Sequence, residues 1–265
     1  MNIDRKRVRE VFASYTRKYD VSDPKIALKI AHTYRVADNC EQIAKSIGLS
    51  EEEVEFAWLS GMLHDVGRFE QVKRYNTFID SESVDHAEFG ADLLFGEERL
   101  IDGYISDRSQ DAMMETVIRQ HNKYRIDEKV GGITLVFCNI LRDADKVDIL
   151  RVNVETPMEE IYNVSEDELF SSGVSEKVME QVEMHVAVNR DVMNSPAEHL
   201  IGHIALAFEL VYPKSWELAK EQGYLNKMYE FPSNNPETLR AVAKTRRELE
   251  KFYETRIYST SITER

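Results

Sequence analysis

The sequence predicts an all-α protein, and three observations carry that prediction. Apolar residues recur at helical rather than alternating spacing, capping residues precede the stripes, and 265 residues hold only 11 glycines and 6 prolines, too few for sandwich turns. At 42% hydrophobic and 31% charged the composition is globular, and the length allows a full core. We expect a helical core over 1–155 and a helical C-terminal region over 156–265 packed on it, with Glu155 to Ser175 as the seam. A net charge of −14 argues against nonspecific binding to nucleic acid or anionic lipid, so neither is expected as a partner. The charged start, Met1 to Arg7, lacks the apolar run of a signal peptide, and Ile133 to Leu141 is too short to span a bilayer. A cytoplasmic location is the expectation. Cys40 and Cys138, without a CxxC partner, read as reduced buried thiols.

Taken in order, a short N-terminal helix is followed by Asp23-Pro24, a cap with a first-turn proline, opening a helix to Ile47 that Gly48 stops. On it His32 leads a stripe through Val36, Cys40, Ile43 and Ile47, which turns the imidazole inward. Ser50-x-x-Glu53 is a capping box for the next helix. Its stripe of Val54, Ala57, Trp58 and Gly61 continues through His64 and Asp65 and halts at Gly67. Residues 69–81 show no clear period and read as a loop that could cover a site, with Asp80 or Ser81 capping the following helix. That helix places His86, Phe89, Gly90, Leu93 and Leu94 on one face. After an irregular stretch from Phe95 to Arg108, a helix starting near Asp111 brings Met114, Val117, Ile118 and His121 into phase. Asn122 to Gly132 reads as a loop, and then Cys138, Leu141, Asp145 and Ile149 repeat at helical spacing.

The C-terminal half reads as supporting helices. Ser175 caps one, Ser195-Pro196-Ala197-Glu198 is a second capping box, and Asn235-Pro236 opens the last. Arg240, Lys244, Arg246, Arg247 and Lys251 alternate with glutamates and read as a solvated face. His199 and His203 stand at i, i+4 without the glutamate of HExxH or a third ligand, and read as core or surface residues; His185 reads as structural.

Six residues of ligand type, His32, His64, Asp65, His86, His121 and Asp145, therefore fall in phase with the apolar stripes of five helices. Buried singly, each would need its own polar partner, whereas a shared divalent cation satisfies all of them. Arg68 and Lys146 follow ligands by three residues and one, where a cation can meet a phosphate in this acidic chain; Arg35, one turn after His32, is a third candidate.

This ordered set, over about residues 24–152, resembles the HD-domain superfamily of metal-dependent phosphohydrolases. The resemblance implies an all-helical core in which His32, His64, Asp65 and Asp145 hold one metal. Members with the additional pair hold a second through His86 and His121, with Asp65 bridging. One or two divalent ions are expected, with Fe, Mn, Zn, Mg, Ni and Co all open. The implied activity is hydrolysis of a small phosphorylated substrate, a nucleotide-like or other phosphomonoester or phosphodiester, by a metal-activated water. Asp65, Arg68 and Lys146 are the expected catalytic residues; Arg68, Lys146 and Arg35 are the expected substrate contacts. The chain departs from cyclic-dinucleotide phosphodiesterases of the superfamily at His121-Asn122, where those show a His-His pair. It also departs from nucleotidase-like members at Arg68, where those place a carboxylate. A different chemistry, that of the diiron inositol and phosphonate-cleaving oxygenases, resembles the chain in the same six-ligand order and is the alternative.

Overall fold

Caps set the helix ends. In the structure, a computed structural model that describes residues 3–157 and 164–263 and side chains as far as 256, Asp4 opens α1 (Arg5–Thr16) by accepting from the Arg7 amide. Asp23 does the same for α2 (Pro24–Ser46), which ends before Gly48 at a φ of 73°. Ser50 and Glu53 exchange both bonds of the capping box at the start of α3 (Glu51–Leu63). The described residues form helices and no strand.

α3 is the centre of the first half. Val54 and every residue from Phe56 to Leu63 are buried, so the helix is enclosed around most of its circumference rather than on one stripe. It packs along α2, where Gly61 lets the backbones meet: a Cβ there would lie 2.5 Å from Ala37 Cα.

Two sequence expectations fail just after α3. Gly67 does not halt a helix, and residues 69–75 are not loop: they belong to α4 (Val66–Tyr75), capped at its C-terminus by Asn76 in the left-handed region. Its buried apolar side chains, Val66, Phe69 and Val72, recur every three residues, and polar side chains, the buried Gln71 among them, obscure that spacing. Gly67 is required by contact, since a Cβ would lie 2.4 Å from the His86 carbonyl oxygen and 2.7 Å from the Gly90 amide nitrogen. α4 can thereby press against α5 (His86–Phe95). α5 is capped by Asp85, which accepts from the amides of Ala87 and Glu88, and not by Asp80 or Ser81, which lie in a 3-10 turn, Asp80–Glu82. The stretch read as irregular contains a short α6 (Ile101–Tyr104). α7 (Asp111–Gln120) ends at His121, and α8 (Gly132–Glu155) follows.

The chain forms two compact units, Met1–Asp145 and Lys146–Arg265, with α8 running from one into the other. The seam expected at 155–175 includes residues 158–163, outside the described residues. The second unit contains α9 (Glu166–Ser171), α10 (Glu176–Glu183), α11 (Pro196–Ala205), α12 (Pro213–Gln222), α13 (Tyr224–Tyr229) and α14 (Pro236–Thr263). Glu198 organises it, accepting from the amides of Ser175, Asn194 and Ser195. His185 stacks on Phe208 and donates to Glu248 at 3.1 Å. Arg240, Arg246, Arg247 and Lys251 are exposed on α14, and Lys244 is half-buried. Cys40 and Cys138 are buried free thiols. Among the described residues no helix is long and apolar enough to cross a membrane.

Candidate metal centre

The six candidate ligands meet in the first unit, most of them from helix ends. His32 comes from the body of α2, His64 caps the C-terminus of α3 and Asp65 the N-terminus of α4. His86 opens α5, His121 closes α7 and Asp145 comes from α8. Asp65 makes no capping bond with its side chain, which leaves both carboxylate oxygens for the interior. Arg142 fixes the end of α7 by donating to the carbonyls of Gln120, His121 and Lys123.

The rings of His64, His86 and His121 are oriented by the bond at the far side. His64 Nδ1 donates to the Gly61 carbonyl, His121 Nδ1 to the Ile118 carbonyl and His86 Nδ1 to Asp80 Oδ2, each at 2.7 Å. A carbonyl or carboxylate can only accept, so in the neutral ring the proton sits on Nδ1 and Nε2 presents a lone pair inward. His86 Nε2 and His121 Nε2 stand 3.0 Å apart in a buried space, where two neutral rings so oriented turn their lone pairs toward each other. His32 Nε2 and His64 Nε2 are 3.3 Å apart.

Asp65 divides these two pairs. Its Oδ2 lies 3.4 Å from both His32 Nε2 and His64 Nε2, whereas its Oδ1 lies 3.6 Å from His86 Nε2 and 3.9 Å from His121 Nε2. Asp145 Oδ1 joins the first pair, 3.1 Å from His32 Nε2 and 3.9 Å from His64 Nε2. The groups His32, His64, Asp65 and Asp65, His86, His121 each bring their ligand atoms close enough together to hold an ion.

The protonation states suit a cation. Burial alone would raise the Asp65 carboxyl, but Lys29, then His64 and His86, hold it well below the usual carboxylate range. Asp145 is likewise held low, its burial outweighed by the hydrogen bond from His32. Burial, then His86 and His64, push His121 down to about 3. Burial, then Arg68, lowers His86 against the pull of Asp80. Charged carboxylates and the neutral imidazoles of His86 and His121 are forms that bind metal, and the mixed nitrogen and oxygen set fits a borderline divalent ion. The facing lone pairs of His86 and His121 are a further reason that a cation fits.

Two cationic side chains flank Asp65. Arg68, expected from the sequence, anchors Nη1 on Gln71, the Phe78 carbonyl and Asp80 at 2.7–2.8 Å, while its Nε is buried without a hydrogen-bond partner 3.6 Å from Asp65 Oδ1. Lys29 was not anticipated. Its Nζ lies 2.7 Å from Asp65 Oδ2, and its position one turn before His32 on α2 was the available signal. Lys29 Nζ and Arg68 Cζ lie 5.5 and 5.6 Å from the centre of the Phe78 ring. Lys146 pairs with Glu209 at 3.3 Å within the second unit, and Arg35 is half-buried on α2.

Residues 30–150, which include all six ligands, match the HD domain family. This segment is an HD domain, and its superfamily consists mostly of metal-dependent hydrolases. No curated protein and no solved structure matches the chain.

Proposed function

We propose that the protein is a metal-dependent phosphohydrolase that cleaves a phosphate ester of a small molecule at a two-metal centre. The observation that carries the reading is the division of labour at Asp65, one oxygen facing each histidine pair, with a protein cation beside each oxygen. His32, His64, Asp145 and Asp65 would hold one ion; His86, His121 and Asp65 would hold the other. When bound, such ions lower the pKa of a water and offset the charge on phosphoryl oxygens. The chain's own groups do the rest. Asp65 sets the spacing between the half-sites with a carboxylate that no capping bond diverts. Arg68 keeps Nη1 locked and offers its unpartnered Nε to a phosphate oxygen. Lys29 supplies a second positive charge within reach of the same space, and Phe78 packs against both cations, lowering the local dielectric and strengthening their hold on an anion.

Chelator-stripped protein reloaded with Mn²⁺, Fe²⁺ or Zn²⁺ and offered a panel of phosphomonoesters and phosphodiesters should release phosphate or a cleaved alcohol. Asp65→Asn should abolish turnover with every metal. Metal-loaded protein that cleaves no ester but takes up oxygen with a polyol or a phosphonate would overturn the assignment in favour of the oxygenase.

A further inference from the structure

Beyond the six ligands, one side chain touches both the second half-site and the arginine that faces it. Asp80 Oδ2 accepts from His86 Nδ1 at 2.7 Å and from Asn122 Nδ2 at 3.3 Å; Asp80 Oδ1 accepts from Arg68 Nη1 at 2.8 Å and from Gln71 Nε2 at 3.0 Å. Of the three rings whose Nδ1 bond is described above, His64 and His121 lean on neutral carbonyls, and His86 alone leans on a carboxylate. A charged acceptor makes the opposite nitrogen a stronger donor to metal and fixes the ring more firmly.

We infer that Asp80 is a positioning residue that couples the second metal half-site to the phosphate contact, holding His86 and Arg68 in register through its two oxygens. This rests on the two-metal reading above. The carboxylate is well placed for that task and poorly placed to act as general support. It sits in a three-residue 3-10 turn, half-buried, and caps no helix. Gln71 also ties down the same loop by donating to Ser83 Oγ and the Val84 carbonyl, and the Phe78 carbonyl holds Arg68 Nη1 as well. Removing the Asp80 carboxylate therefore leaves the loop anchored. What it takes away is the charged acceptor behind His86 and one of the bonds that aim Arg68.

The test is a calorimetric titration of Mn²⁺ into chelator-stripped wild type, Asp80→Ala and Asp80→Asn, followed by titration of inorganic phosphate into the metal-loaded proteins, with the melting temperature of each stripped protein. In both variants the first equivalent should bind as in wild type, and the second about 10–100-fold more weakly, the usual cost of losing a carboxylate behind a ligating histidine. Phosphate should bind more weakly, and the stripped melting temperatures should stay together. Two equivalents bound with wild-type affinity would overturn the inference. So would joint weakening of both equivalents with a lower stripped melting temperature, the mark of a merely structural role, and so would a wild type that binds a single equivalent. Unchanged phosphate affinity beside a weakened second metal would overturn the coupling to Arg68. Hydrolysis enters none of these readings, so a protein that binds two metals yet cleaves no ester would sink the proposed function and leave the Asp80 result standing.

Discussion

At the proposed centre Lys29 and a divalent cation would compete for one oxygen. In the structure Lys29 Nζ neutralises Asp65 Oδ2 at 2.7 Å, the oxygen shared with His32 and His64. Lys29→Met removes the competitor and leaves a buried, charged Asp65 without its strongest counter-charge. The stripped variant should lose about 3 kcal/mol of stability in a denaturant titration, in line with the cost of breaking a buried pair, while its first metal binds more tightly than in wild type. Weaker metal binding in Lys29→Met would show that Lys29 supports the cluster rather than competing with it. The imidazoles and carboxylates were legible in the sequence because each lies in phase with an apolar stripe, so periodicity alone turned them inward. Lys29 was not, because a lysine three residues before a histidine on α2 looks like any solvated helical cation until Asp65 is brought beside it. Asp80 was legible only as a cap, since acidic residues ahead of a helix are usually that, and it is the nearer Asp85 that caps α5.

At the scale of elements, the centre depends on how closely α4 approaches α5. Gly67 and Gly90 form that contact, and any Cβ on Gly67 would meet backbone atoms, which cannot swing aside. Gly67→Ala should cost about 1–3 kcal/mol and, by displacing the start of α5, weaken metal binding through His86. Gly48→Ala provides the contrast: it strains a left-handed residue at the end of α2, where nothing lies within 4 Å of the added Cβ. It should cost about 1 kcal/mol and leave metal binding unchanged. Equal metal affinities in the two variants would mean that the approach of α4 to α5 does not set the ligand geometry. Helix starts were legible where caps are local, at Asp23-Pro24 and at the Ser50 and Ser195 boxes. α4 was not, because Val66, Phe69 and Val72 are separated by polar side chains and its first turn holds a glycine whose reason lies at His86 and Gly90 on another helix.

At the scale of the whole molecule, the all-helical class follows from spacing and composition, but the meeting of ligands from six helices, four of them at helix ends, is a long-range fact that no local pattern contains. The two units should also respond differently to conditions. Chelation should lower the stability of the first unit, whose buried carboxylates lose their counter-ions. Acid should act on the second through His203, whose imidazole is pushed down to about 3 by burial, then by Arg190 and His199. Its contribution is fully present above the ordinary histidine value near 6.5 and is lost as pH falls from there toward 3, because the unfolded chain takes up a proton that the folded one refuses. Melting of stripped protein between pH 7.5 and 5 should therefore be less pH-dependent in His203→Gln than in wild type; identical slopes would show that this histidine is not held neutral. The central claim is that Asp65 bridges two metals that act together on a phosphate ester. It is tested most directly by adding measured equivalents of metal to stripped protein and following ester cleavage, in wild type and in the His86→Ala, His121→Ala double variant. The account predicts that wild-type turnover rises steeply with the second equivalent and that the double variant holds one metal with little turnover. Full turnover at one equivalent, or a double variant that still binds two and cleaves at the wild-type rate, would contradict it.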